Sequence, residues 1–196
     1  SRSLLSPGDE IIVADPTFSQ YELHAVIEGA KVVKVPVKQS SGEMDLEAML
    51  EAITAKTKII WLCNPNNPTG TYLPQSLIRA FIEKVPTDVL VISDEAYQEY
   101  VTDEAISTSL PLLETLSNII VMRTFSKSSG LAGLRIGYAI IPTTVSRAFD
   151  IVRPPFNTST IAQKAAIVAL EDQAFIEHSV AVNQEELAKW ETFLEA

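Results

Sequence analysis

The chain has 196 residues, and its 46% hydrophobic and 20% charged content predicts a folded domain with a substantial core rather than a disordered chain. The net charge of −10 argues against nucleic acid or an anionic membrane surface as a partner, since both require a basic face. The single cysteine, Cys63, excludes an internal disulfide and fits a reducing compartment, and no apolar run is as long as a membrane span.

The first half of the chain alternates short apolar runs with amphipathic segments. In chain order, these predict a strand over 10–14, a helix over 19–28, a strand over 32–37, a helix capped by Asp45, a strand over 59–63 and a helix from Pro74. Pro36 indicates an edge position for its strand. The helix from Pro74 is expected to bury one face, formed by Leu77, Ile78, Phe81 and Ile82.

The second half predicts strands over 89–93, 119–122 and 136–141, followed by helices over 145–152, 160–171 and 174–194. The alternation predicts an α/β fold in three layers (α/β/α), with a mostly parallel mixed sheet and helices on both faces. The last helix carries an apolar stripe that we expect to pack on its own domain, formed by Ile176, Val180, Leu187, Trp190 and Leu194. The missing initiator methionine and the abrupt final helix suggest a piece of a longer protein.

Four polar or aromatic clusters follow predicted strands. They are 15–18 (Asp-Pro-Thr-Phe), 64–70 (Asn-Pro-Asn-Asn-Pro-Thr-Gly), 94–97 (Asp-Glu-Ala-Tyr) and 124–127 (Thr-Phe-Ser-Lys). Ligands of open α/β sheets bind beyond the carboxyl ends of the strands. The clusters are therefore predicted to converge on one crevice.

Lys127 lies between hydroxyl groups directly after a buried strand. A lysine amine can form a Schiff base with an aldehyde, and the hydroxyls of Thr124 and Ser126 with the guanidinium of Arg135 can bind an anion. This pairing suggests pyridoxal phosphate and a partly desolvated Lys127. The alternative is an ordinary solvated lysine.

Asp94 ends another predicted strand, where a carboxylate is costly unless it is paired. A protonated pyridine nitrogen is a suitable partner, because the ion pair keeps the ring an electron sink. For Asp94 alone, a helix cap or a surface acid would be the better interpretation. Tyr97, three residues later, and the separate lysine segment favour a site, whereas Glu95 and Glu99 are interpreted as ordinary polar neighbours.

The segment 64–70 is rich in proline, asparagine and glycine, and is either a plain turn or a rigid loop that aims one amide at a ring hydroxyl. Asn67 is the candidate for that amide. Cys63, just before the loop, is interpreted as a small buried apolar residue. His24 and His178 lie on predicted helices without metal-ligand spacing, so we predict no metal site.

Together these segments resemble the fold-type I, pyridoxal-phosphate-dependent aminotransferases of class I/II. The resemblance extends over the whole chain, through 5–10 (Leu-Ser-Pro-Gly-Asp-Glu), 15–19 (Asp-Pro-Thr-Phe-Ser), 64–70, 94–97, 123–127 (Arg-Thr-Phe-Ser-Lys), 130–138 (Gly-Leu-Ala-Gly-Leu-Arg-Ile-Gly-Tyr) and 154–157 (Pro-Pro-Phe-Asn). Within the family, the chain most resembles the histidinol-phosphate aminotransferases. Enzymes acting on aromatic amino acids are the alternative, because the cofactor motifs are shared across the class.

The resemblance implies a role for each residue around the cofactor ring. Lys127 would bind the cofactor covalently and then move the proton between the substrate carbon and the cofactor. Asp94 would pair with the pyridine nitrogen. Tyr97 and Asn67 would hydrogen-bond the ring oxygen, and Phe18 would stack on the ring face.

The resemblance also implies residues for the two ends of the ligand. Thr124, Ser126 and Arg135 would hold the phosphate. Asn157 and Arg153 would lie on the substrate side.

At the level of the whole protein, the resemblance implies a pyridoxal-phosphate-binding large domain over 1–172 and a helix over 173–196 that leads towards a small C-terminal domain. It further implies small amino-acid and keto-acid substrates, a homodimer and a cytoplasmic location. One alternative is a module that binds the cofactor without catalysis. A generic dinucleotide-binding domain is disfavoured, because no Gly-x-Gly-x-x-Gly turn occurs.

Overall fold

Six strands form one sheet in the part of the chain that the computed structural model describes, residues 1–103 and 108–195. The strands are β1 (Glu10–Asp15), β2 (Lys31–Pro36), β3 (Thr57–Cys63), β4 (Leu90–Asp94), β5 (Ile119–Thr124) and β6 (Gly137–Ile140). The helices are α1 (Gln20–Ile27), α2 (Leu46–Glu51), α3 (Gln75–Ile82), α4 (Thr143–Val152), α5 (Thr160–Glu171) and α6 (Gln173–Leu194). Three short 3₁₀ helices cover Gln98–Tyr100, Leu110–Glu114 and Ala132–Leu134. The predicted α/β class is confirmed.

The strand order is β2-β1-β3-β4-β5-β6, with neighbours parallel from β2 to β5 and β6 antiparallel to β5. The predicted edge position of Pro36 is confirmed, because β2 ends the sheet. After β2 the chain crosses β1 to form β3, so the order reverses between β1 and β3. A reversal of this kind opens a crevice at the carboxyl ends of the two strands, which is where ligands bind in such sheets.

Alternating strand side chains fill two cores, one on each face of the sheet. Ile12, Ile60 and Val91 belong to the core beneath α2 and α3. Their neighbours Ile11 and Ile59 belong to the core on the opposite face, with α1 and part of α4. This alternation has the period of two expected of strands, and it produces the predicted three layers.

Helix starts follow the capping residues in the sequence. The side chain of Asp45 accepts a hydrogen bond from the Ala48 N–H at 3.1 Å, as predicted. Asp172 caps α6 in the same way, accepting from the Phe175 N–H at 3.1 Å. Pro74 lies directly before the first residue of α3, where its missing N–H costs nothing.

Two expectations about helix faces were wrong. Leu77 of α3 is 50% exposed, because the buried face of that helix runs through Ile78, Phe81 and Ile82 only. In the described part of α6 no residue is buried, and Trp190 is 62% exposed. The helix meets the rest of the chain near its start, where the Phe175 ring lies against Gly130, and at the 3₁₀ helix Gln98–Tyr100.

Within the described residues, no helix combines the length and apolar character needed to cross a membrane.

Candidate active site

The ends of four neighbouring strands surround one cavity of about 420 Å³. Eight of the residues singled out in the sequence line it: Phe18, Asn67, Asp94, Tyr97, Thr124, Ser126, Lys127 and Arg135. They follow β1, β3, β4 and β5, or lie at the last residue of these strands, as the parallel arrangement requires. The remaining lining residues are Tyr21, Cys63, Ala96, Met122, Arg123 and Ala132.

Asp94 presents a carboxylate that has hydrogen bonds but no ion pair with any described residue. Its Oδ2 accepts from the Tyr21 hydroxyl at 2.7 Å, and its Oδ1 accepts from the Ala96 N–H at 3.1 Å. Burial raises the pKa of the Asp94 carboxyl above its ordinary range, while these two hydrogen bonds act in the opposite direction. A cationic group entering the cavity would relieve this burial cost, because it would stabilise the ionised carboxylate.

Tyr97, Asn67 and Lys127 form a second group beside Asp94. The Asn67 Nδ2 donates to the Tyr97 hydroxyl at 3.3 Å, across 30 residues of sequence. The Lys127 Nζ lies 5.3 Å from the centroid of the Tyr97 ring, within the range of a cation–π contact. Lys127 is exposed, so the partial desolvation expected for its side chain is not observed.

Arg135, Thr124 and Ser126, which were predicted to bind an anion, line the same cavity. Arg135 has left-handed backbone angles, φ 52° and ψ 48°, a conformation that costs a residue with a side chain about 1–3 kcal/mol. Its Nη1 donates to the Ala132 carbonyl at 2.7 Å, which leaves most of its five N–H groups available. The Thr124 Oγ1 accepts from the Ser126 N–H at 3.1 Å. Both hydroxyl residues therefore lie in one tight turn at the end of β5.

The loop 64–70 is held by asparagine side chains that the sequence analysis did not single out. Asn64 makes two bonds to the main chain of Leu73, at 3.0 Å and 2.8 Å. Asn66 donates to the Pro16 carbonyl at 3.1 Å and accepts from the Thr17 hydroxyl at 2.7 Å. The loop is thereby tied to the segment after β1, across the crevice where the strand order reverses. This bonding provides the rigidity predicted for the loop that carries Asn67.

Glu95 and Glu99 are not ordinary polar neighbours as interpreted from the sequence. Glu95 is 2% exposed, and its Oε2 accepts from the Arg123 Nε at 2.9 Å and from the Thr108 hydroxyl at 2.7 Å. Arg123 also contacts Glu99 at 3.1 Å. The reason is register: Asp94 pairs with Met122 across β4 and β5, which places the next residues, Glu95 and Arg123, side by side. The contacts of Arg123 with Glu95 and Glu99 hold the ends of β4 and β5 together. Asp94 is the last residue of β4, and Lys127 follows β5.

Tyr21 and Arg123 are the residues of this site that sequence reasoning missed. Tyr21 is an aromatic residue in a helix of mixed polarity, and its residue type alone does not distinguish it from a core residue. A buried tyrosine needs a partner for its hydroxyl, and Tyr21 lies one turn after Phe18, so a signal was present. Cys63 is buried, as interpreted, and burial raises the pKa of its thiol.

Asn157 and Arg153 are not brought to the cavity. Both side chains are exposed, and Arg153 lies 3.7 Å from Asp150 one turn earlier in α4. Their roles on the substrate side stay a prediction.

A second cavity, of about 520 Å³, adjoins the first and shares three of its residues, Asn67, Tyr97 and Lys127. Its other walls come from the proline-rich loop, from Tyr72 and Tyr100, and from Asn183 and Leu187 of α6. Lys127 therefore lines both cavities, and the first of them also contains Asp94 and Arg135.

Comparisons with known proteins agree with this geometry. The sequence model of the family described as aminotransferase class I and II matches residues 1–196. Histidinol-phosphate aminotransferase 1 of Bacillus cereus is 52% identical over 193 residues, which cover 98% of this chain and 52% of that protein. The chain thus spans about half the length of the curated relatives it matches.

Solved structures show the same fold. The crystal structure of histidinol-phosphate aminotransferase from Sinorhizobium meliloti in complex with pyridoxal-5'-phosphate matches with a TM-score of 0.82 and 32% identity, over 90% of this chain and 48% of that one. A mutant aspartate aminotransferase of Thermus thermophilus matches with a TM-score of 0.83 and 29% identity, over 94% of this chain and 51% of that one.

Proposed function

Because the chain belongs to the class I and II aminotransferases, we propose that it forms the cofactor-binding part of a pyridoxal-phosphate-dependent transaminase. The proposed substrates are histidinol phosphate and 2-oxoglutarate, exchanged for imidazole-acetol phosphate and glutamate in histidine biosynthesis. The relatives that share about half of the chain's residues support this choice of substrate.

The observation that carries the proposal is the content of one cavity. It contains a primary amine on Lys127, a half-buried carboxylate on Asp94 without a described cationic partner, and a guanidinium on Arg135. An aldehyde, a basic ring nitrogen and a phosphate are the groups complementary to these three. The chemistry of the donor set therefore fits pyridoxal phosphate.

Bound pyridoxal phosphate supplies an aldehyde that condenses with amines and a ring that withdraws electrons from the carbon attached to the nitrogen. Lys127 would hold the group covalently, and the Lys127 Nζ would take and return the proton of the substrate α-carbon. Asp94 would pair with the ring nitrogen and keep it protonated. Asn67 and Tyr97 would orient the ring through its oxygen, and Phe18 would cover one face.

The phosphate end would be held by charge and hydroxyl donors. Arg135 would supply a guanidinium suited to phosphate, and Thr124 and Ser126 would add hydroxyl donors. The second cavity provides room for the amino-acid substrate on the other side of Lys127. We propose that this space, with Tyr72 and Tyr100 in its wall, receives the substrate side chain.

The proposal also concerns the whole protein. We assign residues 1–172 to the cofactor-binding domain and residues 173–196 to a helix that leads towards a smaller domain, in a cytoplasmic homodimer. Support comes from the exposed apolar residues of α6, such as Trp190 and Leu187, and from relatives about twice as long as this chain.

Covalent trapping tests the proposal. The chain is mixed with pyridoxal phosphate, reduced with borohydride and digested, and mass spectrometry locates the modified lysine. We expect the label on Lys127, and its loss in Lys127→Ala. Lys84→Ala is the matched control, since that lysine is exposed near the end of α3, outside both cavities. Undiminished specific labelling of Lys127→Ala would refute the assignment.

A half-reaction separates the enzyme from the alternative, a module that binds the cofactor without turnover. The fact that the chain spans only about half of its relatives' length favours that alternative for the isolated chain. Spectral conversion of the loaded protein by glutamate indicates catalysis, and absence of conversion indicates binding alone. Comparison of histidinol phosphate with tyrosine and phenylalanine as amino donors then distinguishes the two proposed substrate classes.

A further inference from the structure

A hydrogen bond joins the first turn of α1 to the end of β4. The Tyr21 hydroxyl donates to the Asp94 Oδ2 at 2.7 Å, across 73 residues of sequence. The other carboxylate oxygen accepts from the Ala96 N–H. One donor on each oxygen leaves a free lone-pair site on both, so the carboxylate can still accept from a ligand.

The Tyr21 ring is held so firmly that its hydroxyl has one position. The residue is 4% exposed, and its ring stacks on Trp61 with 4.2 Å between centroids and 13° between planes. Phe18 packs edge-on against the same ring at 5.5 Å. The hydroxyl therefore cannot move away from Asp94 without displacing two other aromatic rings.

The protonation of the pair is also defined. Burial, followed by the nearby charge of Asp94, raises the pKa of Tyr21 above its ordinary range. The phenol thus keeps its proton and serves as a donor. The acceptor that matches this donor best is the ionised carboxylate, because hydrogen bonds to charged groups are the stronger ones.

We propose that Tyr21 is a positioning residue that holds the Asp94 carboxylate in one orientation, and in its ionised form, for a cationic ring nitrogen of the ligand. This rests on the proposed function. Tyr21 acts through Asp94 and supports the ion pair that keeps the ring an electron sink. A tyrosine that served only as core would need its ring but not its hydroxyl.

The test is Tyr21→Phe, which removes the hydroxyl and keeps the stack on Trp61. In the cofactor-free protein, the Asp94 side-chain carboxyl is titrated by carbon-13 NMR. We expect its apparent pKa to rise by about one unit or more in the variant, the size expected for loss of a hydrogen bond to a charged group. Tyr138→Phe is the matched control, because Tyr138 lies on β6 outside both cavities. In Tyr138→Phe, the Asp94 carboxyl should titrate as in the parent chain.

The second readout is the affinity for pyridoxal phosphate, measured by titration of the protein's fluorescence. We expect binding about tenfold weaker in Tyr21→Phe, the size expected when a hydrogen bond to a charged group is lost and the carboxylate is no longer held towards the ring nitrogen, and unchanged binding in Tyr138→Phe. In the Asp94→Asn background, Tyr21→Phe should have little further effect, because the charge that Tyr21 supports is gone. An equal loss of affinity in both backgrounds would overturn the proposal.

The two readouts separate this inference from the proposed function. If the parent chain binds the cofactor and Tyr21→Phe changes neither the Asp94 titration nor the affinity, the inference alone fails. If the parent chain does not bind the cofactor, the proposed function fails, and with it the role of Tyr21 towards a ligand. Melting curves verify that each variant is folded.

Discussion

Arg123→Met should be one of the most damaging single substitutions at this end of the sheet. Arg123 is 12% exposed in its side chain, and its Nε and Nη2 both contact the Glu95 Oε2, at 2.9 Å and 2.8 Å. Methionine fills a similar volume without charge. The substitution therefore removes the cation and leaves the Glu95 carboxylate, whose side chain is 2% exposed, in place.

The magnitude follows from what remains around Glu95. The carboxylate loses one charged hydrogen bond and a second ion-pair contact, and it keeps the hydrogen bonds from the Thr108 hydroxyl and the Ser109 N–H. Breaking a buried ion pair from one side typically costs about 3–5 kcal/mol, because the remaining charge is uncompensated. With a urea dependence of about 1–3 kcal/mol per molar, the unfolding midpoint should fall by about 1–2 M or more.

Urea unfolding followed by circular dichroism measures this loss. Arg79→Met is the control, since the Arg79–Glu83 pair lies on the surface of α3, with side chains 43% and 50% exposed. Arg79→Met should lower the free energy of unfolding by only about 0.5 kcal/mol. The double variant Arg123→Met, Glu95→Gln should recover part of the stability, because the buried charge is removed. A loss below about 1 kcal/mol for Arg123→Met would refute the reasoning, because a buried charge left unpaired should cost more.

Three further predictions concern the pH dependence, the strand pairing and the exposed helix. Since burial raises the pKa of Asp94 in the folded chain, Asp94 favours folding at pH values below its unfolded pKa, and this contribution is lost as the pH rises through the folded pKa. In Asp94→Asn, the free energy of unfolding should therefore fall less steeply as the pH rises through this acidic range. An unchanged slope would contradict the raised pKa of Asp94. Gly137→Ala should destabilise the β5–β6 pair by about 1–3 kcal/mol in urea unfolding. A Cβ at 137 would lie 2.8 Å from the Arg123 carbonyl oxygen, whereas Gly133→Ala meets open space and should cost less. Trp190→Gln should change the stability of this chain by no more than about 0.5 kcal/mol, because the side chain is 62% exposed; a thermal melt showing a larger loss would mean that α6 packs on the domain after all.

Much of the cavity could be predicted from local sequence. Each polar cluster follows an apolar run, and the carboxyl ends of parallel strands meet at one edge of a sheet. Phe18, Asn67, Asp94 and Lys127 therefore converge on one cavity, although up to 109 positions separate them in the sequence. Capping and proline rules predicted the starts of α2 and α3 for a similar reason, because they depend on a few neighbouring residues.

The partners of these residues could not be predicted in the same way. Tyr21 belongs to a short helix, and although its place one turn after Phe18 suggests a role near the site, the local sequence does not show that its hydroxyl reaches Asp94. The hydrogen bond depends on the position of α1 along the strands on which it packs. The stacking of the Tyr21 ring on Trp61 of β3 fixes that position. The pairing of Glu95 with Arg123 likewise depends on the register between β4 and β5.

The residue types and their positions at strand ends are properties of the sequence by itself, and they determined the fold class and the chemistry expected of the cavity. Only the tertiary structure decided which groups hold Asp94 and Lys127 in place, which faces of α3 and α6 are covered, and that Asn157 and Arg153 lie outside the cavity. The physical reason is range. Strand and helix patterns follow from periodicities of two and 3.6 residues, whereas hydrogen bonds and ion pairs between distant segments require the register and packing of the folded chain.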